Sequence, residues 1–224
     1  MADKTIYQSA YKGDFETVSR ELEINPKLIY TKDSSDRIIL HWASLGGNFK
    51  LVSYLVDLGS PIDPLDDTDT TPLILASSAG NNEIVAFLLD KGANVNQQSS
   101  NLHSSLQYAA SKGWLEICIK LIEHGGNVNI TDKYGSTPLH RAASKGNNEV
   151  LKFLLSNDTL KVNHQDIYGN SALHLACEDD HQEEAILLLK HGADLSLKNK
   201  EGLTPLNLCT PMLMRILKAN SENT

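Results

Sequence analysis

Thr137-Pro138-Leu139-His140-Arg141-Ala142 decides the fold, because the chain keeps returning to it. With Leu139 as reference, leucine holds the same place at 40, 73, 106, 173 and 206. From Leu40 onward the spacings are 33, 33, 33, 34 and 33 residues, and Ile6 lies 34 residues before Leu40. Ser171-Ala172-Leu173-His174-Leu175-Ala176 repeats the stretch with two changes. A period of this length marks one small supersecondary unit copied seven times; a single copy cannot bury its own apolar face, so the copies must stack.

Each recurrent residue has a physical task. Pro72, Pro138 and Pro205 suit the first turn of a helix, and Thr71, Thr137 and Thr204 can cap it. Alanine at 43, 76, 109, 142 and 176 lets neighbouring helices approach closely. Seven residues past the reference come Gly13, Gly47, Gly80, Gly113 and Gly146, with Asp180 in the sixth copy. These predict left-handed helix ends. Twelve residues further on, Asn25, Gly59, Gly92, Gly125, Asp158 and Gly192 predict the same for the second helix. Between the two stops lies an apolar stripe such as Ile84-Val85 with Leu88-Leu89. Then Val-Asn pairs at 95–96, 128–129 and 162–163 lead into a β-turn. A 33-residue period with this Thr-Pro-Leu-His-x-Ala pattern identifies the chain as a member of the ankyrin-repeat family. The expected fold is an all-α solenoid of seven stacked helix-turn-helix units with β-turn tips. It forms a single domain over 1–224, in units of roughly 3–35, 36–68, 69–101, 102–134, 135–168, 169–201 and 202–224. The first and last units depart from the pattern, as end units facing water should, and the polar stretch from Lys218 to Thr224 is expected to fray.

The net charge of −8 weighs against nucleic acid as a partner. No apolar run reaches membrane-spanning length and no signal peptide is visible, so no membrane role is expected. Three scattered cysteines, Cys118, Cys177 and Cys209, fit a reducing compartment, cytoplasm and nucleus. The sequons at Asn129 and Asn157 are expected to be idle there.

Catalytic and metal patterns are sparse. His41, His140 and His174 stand one repeat apart, a ladder and not a cluster, and should hydrogen-bond a threonine hydroxyl or a neighbouring turn. Cys177 reads as a small buried hydrophobe. Asp63, Asp66, Asp67 and Asp69 lack the spacing of a calcium loop and read as solvated turn residues. No phosphate loop, zinc helix or Cys-x-x-Cys pair is found, so neither catalysis nor a cofactor is expected. The expected function is protein binding through the concave face of turn tips and inner helices. Its N-terminal turns carry Asp33, Asp36, Arg37, Asp66, Asp67 and Asp69. Its later turns and helix ends carry Lys112, Lys133, Arg141, Lys145 and Lys200, a segregation by sign that implies a partner of reversed polarity. Trp42 and Trp114 are each read as core packing or as an interface anchor, with packing the simpler role.

Over its whole length the chain also resembles the gankyrin family, assembly chaperones of the proteasome regulatory particle. The resemblance is carried by Asp36-Arg37-Ile38-Ile39-Leu40-His41-Trp42-Ala43, Tyr108-Ala109-Ala110-Ser111-Lys112, Leu139-His140-Arg141-Ala142-Ala143, Leu173 through Asp180, and Asn199-Lys200-Glu201. It implies a monomer gripping the C-terminal domain of one proteasomal AAA ATPase subunit, with Arg37 and Lys112 meeting acids and Asp67 meeting an arginine. Asp36, Trp42, Asp69, Arg141 and Lys145 complete the expected protein-binding set. The family's Leu-x-Cys-x-Glu motif, associated with the retinoblastoma protein, ends here in Asp179, which argues against that partner. A regulator that covers a cyclin-dependent kinase is the alternative.

Overall fold

The computed structural model describes residues 5–221. Helix pairs recur along them, with Gln98 and Ser104 forming an isolated antiparallel β-bridge. Two compact bodies divide the chain, Met1–Ser105 with Glu123–Gly126, and Leu106–Ile122 with Asn127–Thr224.

The first body holds α1 (Ile6–Lys12), α2 (Phe15–Ile24), a short 3-10 helix (Pro26–Tyr30), α3 (Ile39–Gly46), α4 (Phe49–Asp57), α5 (Pro72–Ala79) and α6 (Asn82–Asp90). Inner helices α1, α3 and α5 pack side by side, and each carries its outer partner, α2, α4 or α6, on its back. Ala43 and Ala76, with no exposed surface, set the close approach of the inner row. The outer helices bury one stripe each, Leu51, Val52 and Leu55 on α4 and Ile84, Val85, Leu88 and Leu89 on α6. Each buried leucine or isoleucine contributes about 1.5–3 kcal/mol.

The second body repeats the scheme with α7 (Ser105–Lys112), α8 (Leu115–Glu123), α9 (Pro138–Ser144), α10 (Asn148–Leu155), α11 (Ala172–Glu178), α12 (Gln182–Lys190), α13 (Pro205–Leu208) and α14 (Pro211–Ser221). Here α11 packs between α9 and α13, while α12 packs between α10 and α14. Two of the three expected threonine caps form, Thr137 accepting the His140 N–H and Thr71 that of Ile74, whereas the Thr204 hydroxyl donates to Asn207 Oδ1.

Three local expectations are corrected. Asn25 does not take a left-handed conformation; its φ is −138°, because Pro26 follows and crowds it into the extended region. Asp158 is not left-handed either. The extra residue in that unit lets Asn157 close an Asx turn instead, its side chain accepting from the Thr159 N–H and hydroxyl. The tail from Lys218 continues α14 through Ser221; residues 222–224 lie outside the described residues. Asp180 does take the left-handed conformation, with φ 55°.

Candidate functional site

Most turn tips are built around a side-chain oxygen at their first residue, an aspartate carboxylate in four of them. Asp33 Oδ1 accepts the N–H groups of Ser35 and Arg37 at 2.8 and 3.0 Å, and Asp66 Oδ1 accepts those of Thr68 and Thr70 at 2.9 Å. Asp132, Asp166 and Asn199 do the same for the residues two and four positions on. The second oxygen takes a long-range donor: the Trp42 indole N–H on Asp33 at 2.8 Å, Arg37 Nε on Asp66 at 2.9 Å, and the Arg141 guanidinium on Asp132. Trp42 and Arg141 hold the same place in their repeats and perform the same task with different chemistry.

These bonds correct the reading of Asp66 as a solvated residue. Its side chain has no exposed surface, and a carboxylate can be buried there because donors from two turns converge on it. Burial pushes its carboxyl up, but hydrogen bonds from Thr68, Thr70 and Arg37 outweigh this and hold it below the usual range. The same balance, with Arg37, Ser35 and Trp42 as donors, depresses Asp33. Arg37 and Arg141, two of the expected partner contacts, each pair with a buried carboxylate and remain half-buried.

The remaining expected residues lie at the surface. Asp36, Asp67 and Asp69 are exposed on tips of the first body, and Asp36 is 3.5 Å from Lys32. Lys112 ends α7 and Lys145 caps α9 in the second body, both exposed. Neither tryptophan is core. Trp114 is 42% exposed, and Trp42 is half-buried beside a surface cleft. Sequence reasoning missed the cleft's other aromatics, Tyr7 and Tyr11, whose only signal is their spacing of one helical turn. It also missed the apolar residues displayed on tips of the second body, Tyr134, Ile167 and Tyr168.

The histidine ladder is structural. Nε2 of His41 lies 3.1 Å from the carbonyls of Pro64 and Thr70, that of His140 lies 3.0 Å from the Asn170 carbonyl, and that of His174 lies 3.2 Å from the Leu203 carbonyl. A carbonyl only accepts, so Nε2 carries the proton, and Nδ1 accepts the backbone N–H of Ile38, Thr137 or Ser171. Burial lowers all three, His140 to about 4. The thiols of Cys118 and Cys177 are buried; burial pushes Cys118 up to about 12 and Cys177 higher still. Neither has the lowered pKa of a reactive thiol. Asn129 has both ends of its amide engaged, donating to the Thr159 carbonyl and accepting from the Lys161 N–H, each at 2.9 Å. Among the described residues no group of three or more His, Cys, Asp or Glu is placed to hold a metal, and no helix is long and apolar enough to cross a membrane.

Comparison with known proteins agrees with this architecture. A family model described as "Ankyrin repeats (3 copies)" matches residues 6–99 and 98–166, and one described as "Ankyrin repeats (many copies)" matches 154–209. The human 26S proteasome non-ATPase regulatory subunit 10 is 42% identical over 63 residues, 28% of each chain. Human transient receptor potential cation channel subfamily A member 1 is 41% identical over 61 residues, 27% of this chain and 6% of that one. The chain therefore spans only a minor part of these curated relatives. The ankyrin repeat domain of Bcl-3 superposes with a TM-score of 0.81 at 25% identity, covering 97% of this chain and 99% of that one. The human ASB11 ankyrin repeat domain superposes with a TM-score of 0.87 at 24% identity, covering 96% of both. With its repeat period, capped helix pairs and carboxylate-centred tips matched from residue 6 to residue 209, the chain belongs to the ankyrin-repeat family.

Proposed function

We propose that this protein is an assembly chaperone of the proteasome regulatory particle, working by protein binding alone. It grips the C-terminal domain of one ATPase subunit, in the cytoplasm and nucleus. The observation that carries the reading is the separation of tip charge into two classes. Asp33, Asp66 and Asp132 hold donors of the fold, with Arg37 and Arg141 half-buried beside them, whereas Asp67 and Asp69 in the first body and Lys112 and Lys145 in the second are exposed. Exposed charges on rigid turns and helix ends steer and orient a partner at little entropic cost. The stretch of 42% identity to a proteasome non-ATPase subunit supports the choice of partner.

Affinity capture from extract tests it. Proteasomal ATPases should co-purify without the mature particle; recovery of kinases instead would replace this reading with that of a kinase regulator. Lys112→Glu should weaken ATPase capture about 10-fold or more at low salt, and added salt should narrow the difference. Unchanged capture by Lys112→Glu at low and physiological salt would remove Lys112 from the contact.

A further inference from the structure

Among the described residues, four that are not glycine have a positive φ, and three of these, Asp36, Asp69 and Asp180, are aspartates. The fourth is Leu102, with φ 58°. A left-handed aspartate is a modest departure, because its short polar side chain can bond locally. A left-handed leucine crowds its Cβ against the following carbonyl oxygen and has no such compensation. Burial does not compensate it either, since the Leu102 side chain is 45% exposed. An exposed leucine is ordinary by itself. Backbone strain at an exposed apolar side chain is not, and strain of this kind gathers at ligand clamps and other functional sites.

The surrounding backbone is held on every side. The Leu102 N–H bonds the Ser99 carbonyl at 2.7 Å, the Gln98 side-chain amide donates to the Leu102 carbonyl, and the His103 N–H donates to the Ser99 hydroxyl at 3.2 Å. Gln98 and Ser104 close the turn with their antiparallel bridge. The side chain is thus displayed from a fixed Cα, with little main-chain freedom left to lose on binding. Its neighbour tip gives it a setting. The Ser100 N–H bonds the Thr68 carbonyl at 2.9 Å, which sets this tip against the one that exposes Asp67 and Asp69. Protein contacts gather apolar side chains at their centre and charges at their rim. Leu102 supplies an apolar point directly beside two exposed charges of the proposed contact.

We infer that Leu102 is an apolar anchor of the protein contact, its side chain covered by an apolar patch of the bound protein while Asp67 and Asp69 meet polar groups beside it. The inference rests on the proposed function, and it adds to that reading the residue at which this chain trades stability for binding.

Three variants of the full 224-residue chain separate side chain from strain, each read by thermal melting and by capture of proteins from extract. Leu102→Gly removes both; it should raise the melting temperature by about 2–4 °C and weaken capture about fivefold. Leu102→Ala keeps the left-handed strain without the leucine side chain; it should melt close to wild type and bind as weakly as Leu102→Gly. Leu102→Met keeps both the strain and an apolar side chain, and should bind within about twofold of wild type. Capture unchanged in Leu102→Gly and Leu102→Ala overturns the inference. So does a Leu102→Gly chain that melts below wild type, because the side chain would then be packing within the fold, and so does a wild-type chain that captures no protein. The two readings fail separately. ATPase captured equally by wild type and Leu102→Gly removes the anchor alone. A different protein, captured by wild type and Leu102→Met and lost with the other two variants, removes the ATPase alone.

Discussion

The fourth residue of each turn tip differs in kind between the two bodies, yet its backbone does not. In the second body it is Gly135, Gly169 or Gly202, with φ of 73, 78 and 78°. In the first it is Asp36, Asp69 or Leu102, with φ of 58, 56 and 58°. Aspartate visits this region at modest cost; leucine does so rarely. The tip opening at Ser99 has serine in place of the carboxylate and leucine in place of glycine, and it still closes, the serine hydroxyl accepting the His103 N–H at 3.2 Å. The Leu102 N–H bonds the Ser99 carbonyl at 2.7 Å, and the Ser100 N–H bonds the Thr68 carbonyl of the preceding tip at 2.9 Å. The same bond between tips joins Asp67 to Ser35, Ile167 to Tyr134 and Lys200 to Tyr168. In the first body the left-handed turn is thus made without glycine. The bond to the neighbouring tip recurs whether or not a carboxylate opens the turn.

Removing that carboxylate should break the comparison most. Asp66→Ala orphans the N–H groups of Thr68 and Thr70 and strips Arg37 of its partner; a loss of about 3–5 kcal/mol in denaturant unfolding is expected. Arg37→Ala, which leaves the buried carboxylate its turn donors, should cost less, about 1.5–3 kcal/mol. Equal losses would show that the arginine, and not the turn, is the dominant partner.

Acid should act on the second body through His140. Its folded pKa of about 4 lies below the ordinary 6.5, so between those values the unfolded chain binds the extra proton. The contribution is present in full above pH 6.5 and is lost as pH falls toward 4, amounting to about 3 kcal/mol. His140→Gln should flatten that part of the pH–stability curve; an unchanged slope would place the titration elsewhere.

Gly169→Ala sharpens the comparison. A Cβ there would lie 2.9 Å from the Lys200 nitrogen, whereas at Gly202 it would meet nothing within 4 Å. Both substitutions carry the left-handed cost of about 1 kcal/mol, and Gly169→Ala should exceed Gly202→Ala by about 1 kcal/mol or more, because the atoms its Cβ meets are backbone of the next tip. The smallest effect has the opposite sign: Leu102→Gly should stabilise by about 1 kcal/mol or slightly less, because backbone strain is relieved at an exposed side chain. Destabilisation instead would mean that the leucine side chain contributes packing at its tip.

The sequence by itself determined the repeat, its helix pairs, their threonine caps and the buried alanines, because these rest on contacts a few residues apart that recur in every unit. It also determined that the histidines form a ladder, since residues one repeat apart cannot converge on one ligand. Only the tertiary structure decided which charges are exposed and which are buried. Arg37 and Asp66 are 29 residues apart, and their pairing joins two units. It also decided that Trp42 lines a cleft with Tyr7 and Tyr11, because that wall exists only once α1 and α3 stack and bring aromatics of two units together. Local periodicity reports which face of a helix is buried; the partner of a buried carboxylate and the walls of a cleft come from the neighbouring unit, and only stacking supplies them.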